Sequence, residues 1–119
     1  MISIFLAVVL SVTDGDTFRA RVEVWPGVEI VTAVRLTGID TPEIRGKCAA
    51  ERATALVAKA RLAELLAAGP VTVSQVQPDK YAGRVDAIVQ SGGKSVAETL
   101  IAEGLARPYA GGTRKGWCP

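Results

Sequence analysis

Arg35-Leu36-Thr37-Gly38-Ile39-Asp40-Thr41-Pro42-Glu43 marks the place where the chain changes its period. Upstream of it, Val28, Ile30, Thr32, Val34 and Leu36 occupy every second position and share one face of a strand. Downstream, from about Ala49 to Ala68, the chain is rich in Ala, Leu, Glu, Lys and Arg, all good helix formers. Ala55, Ala58, Leu62, Leu65 and Leu66 lie on one helical stripe there, with Arg52, Lys59 and Glu64 off it. Pro42 keeps the residue before it extended, so the stretch reads as a strand running into a rigid turn ahead of a helix.

Working outward, the same period of two precedes Val28. Phe18, Ala20, Val22 and Val24 alternate with Arg19, Arg21, Glu23 and Trp25, and Pro26-Gly27 reverses the chain. Asp14-Gly15-Asp16 is turn chemistry, with the glycine free to take a positive φ. Before it lies an apolar run, read as a buried first strand over roughly Ile4 to Val12. Three strands joined by tight turns make an antiparallel meander. Beyond the helix, which Gly69-Pro70 ends, Val71–Val76 and Val85–Val89 read as fourth and fifth strands around the polar loop Gln77–Arg84. Ser95 and Glu98 form a capping box that opens a short helix with Val96, Leu100 and Ile101 on its apolar side. Gly104 closes that helix, and the Gly-, Arg- and Lys-rich tail from Pro108 to Pro119 is expected to be irregular.

The expected class is therefore α+β, mainly β, as a single domain over residues 1–119. Five strands with a longer helix between the third and fourth, and a short one after the fifth, follow the order of an OB-fold, a Greek-key barrel. No long C-terminal helix is expected.

Composition narrows the chemistry. The chain has no histidine, which removes imidazole bases, histidine triads and the common histidine-bearing zinc sites. Acid–base work must come from carboxylates, lysine, tyrosine or metal-bound water. A net charge of +2 permits a nucleic-acid partner without demanding one. Cys48 and Cys118, 70 residues apart, are either bridged or two thiols in a reducing cytoplasm. The alternatives imply a periplasmic or secreted protein in the first case and a cytoplasmic one in the second. Met1–Leu10 lacks the basic start and small-residue cleavage site of a signal peptide and is too short for a membrane span.

In the opening stretch, Arg35 is a cation suited to a phosphate, Asp40 a carboxylate suited to a metal, and Glu43 a carboxylate left for a water. Asp14 and Asp16 form a second acidic pair upstream, and Arg84 lies downstream. A hard cation takes six to eight oxygens, guanidinium forks neutralise phosphate, and metal with carboxylate can activate water. That combination reads as a metal-dependent phosphodiesterase. Taken singly, the same residues have plainer readings: Asp14 a turn residue, Asp40-Thr41-Pro42 a rigid turn, and Arg35 and Arg84 solvated charges. Trp25 and Trp117 are read as structural.

With Asp14-Gly15-Asp16-Thr17, Arg35…Asp40-Thr41-Pro42-Glu43 and Asp79-Lys80-Tyr81…Arg84 in order, the chain closely resembles the staphylococcal nuclease (thermonuclease) family from about Val8 to Tyr109. The resemblance implies a calcium-dependent nuclease on an OB-fold, cutting DNA and RNA with little sequence specificity to 3′-phosphate products. It assigns Asp16, Asp40 and the Thr41 carbonyl to the metal, and Arg35, Glu43 and Arg84 to catalysis. Lys80, Tyr81 and Tyr109 are assigned to the nucleotide. Calcium is the expected ion, with magnesium or manganese as substitutes. The expected partners are DNA and RNA, single strands preferred, with no membrane, no obligate protein partner and a monomeric state. The competing reading is a catalytically weak or inactive nucleic-acid-binding module on the same fold.

The chain departs from the family pattern in a short loop after Glu43 and in Tyr81-Ala82-Gly83-Arg84, one residue longer than the commonest Tyr-Gly-Arg spacing. A Cys48–Cys118 bridge would offset the missing C-terminal helix.

Overall fold

The computed structural model describes residues 3–119; Met1 and Ile2, which open the apolar run, lie outside them. The strands β1 (Ile4–Asp14), β2 (Thr17–Trp25) and β3 (Val28–Leu36) form the expected antiparallel meander. A two-residue strand β4 (Ile39–Asp40) follows, then helix α1 (Ala49–Ala67), β5 (Val71–Pro78), β6 (Arg84–Ser91), β7 (Lys94–Ser95), α2 (Val96–Ala102) and β8 (Arg107–Pro108). The order β3-β2-β1-β5-β6 is closed by parallel pairing of β3 with β6, from Ala33 opposite Arg84 to Leu36 opposite Ala87. The result is the closed five-stranded barrel expected of an OB-fold. Among the described residues no helix is long and apolar enough to cross a membrane.

The inward faces pack one core. Phe18, Ala20 and Val22 of β2 meet Val34 and Leu36 of β3, Val71 and Val73 of β5, and Ala87 and Val89 of β6. Leu62 and Leu66 of α1 and Val96 and Leu100 of α2 cap the barrel. Leu36, Leu62 and Phe18 are almost wholly removed from water, each contributing about 2–3 kcal/mol of transfer free energy. α2 starts as expected, with Ser95 Oγ accepting from Glu98 N at 3.2 Å. It ends on Gly104 at φ 75°, where Leu105 N donates to Leu100 O.

Several expectations are corrected. The first strand is only half-buried: Phe5, Ala7, Val9 and Val12 pack inward, but Ile4, Leu6, Val8 and Leu10 face out. A barrel strand alternates inside and outside whatever its composition. Val24, Val28 and Ile30 keep the alternating pattern yet are exposed, because the β2–β3 ribbon continues past the last β1 partner, Ala7 opposite Val22. β5 runs beyond Val76 to Pro78 through a register shift, with Gln75 at φ 49°. Arg84 is not a loop residue but the first residue of β6, and Pro108 pairs with Ile39 rather than belonging to an irregular tail. Gly27 takes the positive φ its turn requires, at 77°, whereas Gly15 does not have one. Gly15 serves by size: a Cβ there would sit 2.8 Å from Ala58 Cβ and 3.2 Å from Thr41. Its absence lets the β1–β2 turn settle between α1 and Thr41.

Candidate functional site

That close approach fixes the first acidic group. Asp14 Oδ1 accepts from the backbone N–H of Asp16 at 3.1 Å, the turn role read from the sequence. Asp16 accepts from Thr17 Oγ1 at 2.9 Å and faces Arg35 Nη2 at 3.6 Å. The same Arg35 nitrogen donates to Ile39 O at 3.0 Å, which ties the guanidinium to the turn carrying Asp40. Burial, then the hydrogen bond and negative charge of Asp14, push the Asp16 carboxyl up to about 6, while Arg35 and Thr17 pull the other way.

The second acidic group lies just beyond β3. Gly38, at φ 81°, lets the chain turn back, and Asp40 pairs with Arg107 across β4 and β8. Asp40 and Thr41 are buried, whereas Glu43 is exposed. Glu43 is nevertheless held by its backbone: Glu51 Oε2 accepts from Glu43 N at 3.0 Å, and Oε1 from Lys47 N at 3.3 Å. These bonds depress the Glu51 carboxyl, with burial opposing them. Cys48 caps α1, its Sγ accepting from Glu51 N at 3.4 Å, and is bonded to Cys118, so the bridged alternative is the one found.

The disulfide carries the tail across the site. Trp117 Nε1 donates to Asp40 Oδ2 at 3.1 Å, so Trp117 is more than a packing residue. Its ring lies 3.7 Å under the Arg107 guanidinium, which itself donates to Gly116 O. Arg114 Nη2 lies 2.5 Å from Asp40 Oδ1 and donates to Thr41 O at 3.3 Å, while Nη1 pairs with Glu43 Oε1.

Barrel closure supplies the third wall. Arg84 Nε lies 2.6 Å from Asp79 Oδ2, and its guanidinium sits 4.8 Å from the Tyr81 ring centre. Lys80 Nζ is 5.3 Å from the same ring. Burial alone would raise Asp79, but hydrogen bonds from Asp86, Tyr81 N and Arg84 bring it down to about 2. Asp86, opposite Arg35 in the β3–β6 register, is raised by burial and by Asp79. Asp86 Oδ1 is buried without a hydrogen-bond partner.

Asp14, Asp16, Arg35, Asp40, Thr41, Glu43, Lys80, Tyr81, Arg84 and Tyr109 all line one open cleft of about 1320 Å³. Tyr109 is anchored by its N–H to Gly38 O and by its hydroxyl to Gly112 O, both at 2.8 Å. The carboxylates are not clustered, however. Among the described residues, the only group of three or more acidic or thiol ligand atoms all within 4.8 Å of one another is Cys48, Glu51 and Cys118, where the sulfurs are bonded together. The donor types in the cleft are nevertheless those a hard cation takes. Asp16, Asp40 and the Thr41 carbonyl are oxygen donors, and the Arg114 guanidinium already stands as a cation on two of them. No expectation from the sequence points to Glu51 or Arg114, and Trp117 is read there as structural. Only Glu51 carried a signal, the Cys48-x-x-Glu51 spacing of a capping box with sulfur in place of a hydroxyl.

A family model described as staphylococcal nuclease homologue matches residues 33–115, more than half of the chain. The matched span holds Arg35, Asp40, Glu43, Arg84 and Tyr109; Asp16 lies before it. No curated protein matches the chain.

Proposed function

The chain belongs to the staphylococcal nuclease family, and from that premise we propose that it is a calcium-dependent nuclease hydrolysing DNA and RNA, single strands preferred, with little sequence specificity. The observation that carries this reading is the pairing of β3 with β6. It sets Arg35 and Arg84 on neighbouring strands of one cleft whose other walls carry Asp16, Asp40 and Glu43.

Arg35 and Arg84 hold the scissile phosphate and offset charge that builds on it in the transition state. Asp79, ionised at neutral pH, keeps the Arg84 fork at the cleft wall. Glu43 orients the attacking water and takes its proton, with its backbone fixed by Glu51. Calcium held by Asp16, Asp40 and the Thr41 carbonyl would supply Lewis-acid polarisation of the phosphoryl oxygen. Magnesium or manganese would substitute weakly. Lys80, Tyr81 and Tyr109 line the nucleotide side, where aromatic faces favour unpaired bases. Leaving 3′-phosphate ends, a monomeric state and an oxidising compartment, periplasmic or extracellular, complete the proposal; the disulfide supports the last.

The test is digestion of single-stranded DNA and of RNA with calcium, with and without chelator, by wild type and Glu43→Gln. We expect chelator to abolish turnover and the variant to lose roughly 10²–10⁴-fold. Turnover indifferent to chelator would overturn the proposal. One observation favours a second reading, a binding module of weak or no activity: Arg114 occupies Asp40 and Glu43 together. Nucleic-acid binding without turnover at any calcium concentration would decide for it.

A further inference from the structure

Arg114 is not among the residues assigned to catalysis, metal or nucleotide, yet it touches more of the expected metal position than any other side chain. One nitrogen lies 2.5 Å from Asp40 Oδ1 and 3.3 Å from Thr41 O; the other pairs with Glu43 Oε1. Asp40 and the Thr41 carbonyl are two of the three donors assigned to calcium above. The remaining Asp40 oxygen is taken by Trp117 Nε1 at 3.1 Å. The whole arrangement is tethered: Cys118, four positions beyond Arg114, is bonded to Cys48 at the start of α1. Arg107 stacks on Trp117 between the β8 strand and the bridge.

We propose that Arg114 is an internal cation that fills the calcium position in the resting protein and sets the affinity of the site. The inference rests on the metal-site reading given above. Its physical basis is competition for the same oxygens. A guanidinium satisfies a carboxylate and a carbonyl through directed N–H bonds, and a calcium ion needs those lone pairs for coordination. Because the tail is anchored at β8 and at the disulfide, the guanidinium competes at the high effective concentration of an intramolecular ligand. Calcium binding therefore displaces Arg114 from Asp40, Thr41 and Glu43 together. The same event that installs the metal releases Glu43 to act on a water.

Calorimetric titration of the full-length oxidised protein with calcium alone tests this. Arg114→Gln is expected to bind calcium roughly ten-fold more tightly than wild type. Arg114→Lys, which keeps the charge but loses the fork, falls between them and serves if the glutamine variant does not fold. Reduction of the disulfide should tighten binding in wild type and leave Arg114→Gln little changed. Asp40→Asn should abolish binding in both backgrounds. Loss with Asp40→Asn but no tightening in either Arg114 variant would overturn the Arg114 proposal and leave the metal site standing. No calcium binding at all, or binding indifferent to Asp40→Asn, would overturn both.

Discussion

Asp16 is where burial and function conflict most openly. Its carboxyl titrates near 6 in the folded protein and near 3.8 when free, so the folded state keeps a proton that the unfolded state sheds. Stability of the metal-free protein therefore falls as pH rises from about 4 to 6, by roughly 3 kcal/mol in all. Asp16→Asn removes that dependence. It should make the metal-free protein about 2–3 kcal/mol more stable at pH 7 and nearly equal to wild type at pH 4, read from urea unfolding at both values. If Asp16 is a calcium ligand as proposed, calcium affinity should fall in the same variant. Asp14→Asn, which leaves Asp16 in place and removes a neighbouring charge, should lower the Asp16 pKa, followed by carboxyl NMR. The types of these residues were legible in the sequence. Their charge balance was not, because desolvation depends on Gly15 letting the turn approach α1 and Thr41.

Among the elements, the loop from Glu43 to Cys48 is held by Glu51 at two of its backbone N–H groups and by Arg52 Nη1, which donates to Gly46 O at 2.9 Å. Glu51 accepts two backbone N–H bonds, and Gly46 lies so close that a Cβ would come within 2.5 Å of Glu51 Cδ. Gly46→Ala must displace that carboxylate from at least one bond. We expect a loss of about 1–3 kcal/mol in thermal or urea unfolding, with a fall in turnover from misplaced Glu43. The β2–β3 ribbon gives the contrasting case. Ile30 shares the alternating face of Val34 and Leu36 but is 44% exposed, so Ile30→Thr should change stability by no more than about 0.5 kcal/mol. Leu62→Ala, at a site wholly removed from water, should cost about 2–5 kcal/mol. Periodicity identified both faces correctly as faces. It could not say where along a strand the barrel ends, because that is decided by the neighbouring strands.

Across the whole molecule, the Cys48–Cys118 bond does two things. It closes a loop of 70 residues, worth about 4 kcal/mol of stability on loop-closure entropy alone, and it holds the tail over the cleft. Reduction should therefore lower the melting temperature and loosen the hold of Arg114 on Asp40 and Glu43 in the same step. A melt with and without reductant, compared with Cys118→Ser, measures the first effect. If reduction leaves the melt unchanged, the bridge contributes nothing to the fold.

By itself the sequence determined the meander and the two helices, since these depend on periods, caps and turns spanning a few neighbours, while its resemblance to a known family pointed to the barrel and to many of the residues that line the cleft. It also narrowed the chemistry, because a chain without histidine leaves acid–base work to carboxylates, lysine, tyrosine or metal-bound water. Tertiary structure alone decided that Arg84 opens a strand beside β3 and that Asp86 sits opposite Arg35, both consequences of the register that closes the barrel. It alone placed Arg114 on Asp40, 74 positions earlier in the chain, since a disulfide and a stacked tryptophan bring the tail there. Contacts of that span are set by how the chain closes on itself, which no local pattern records.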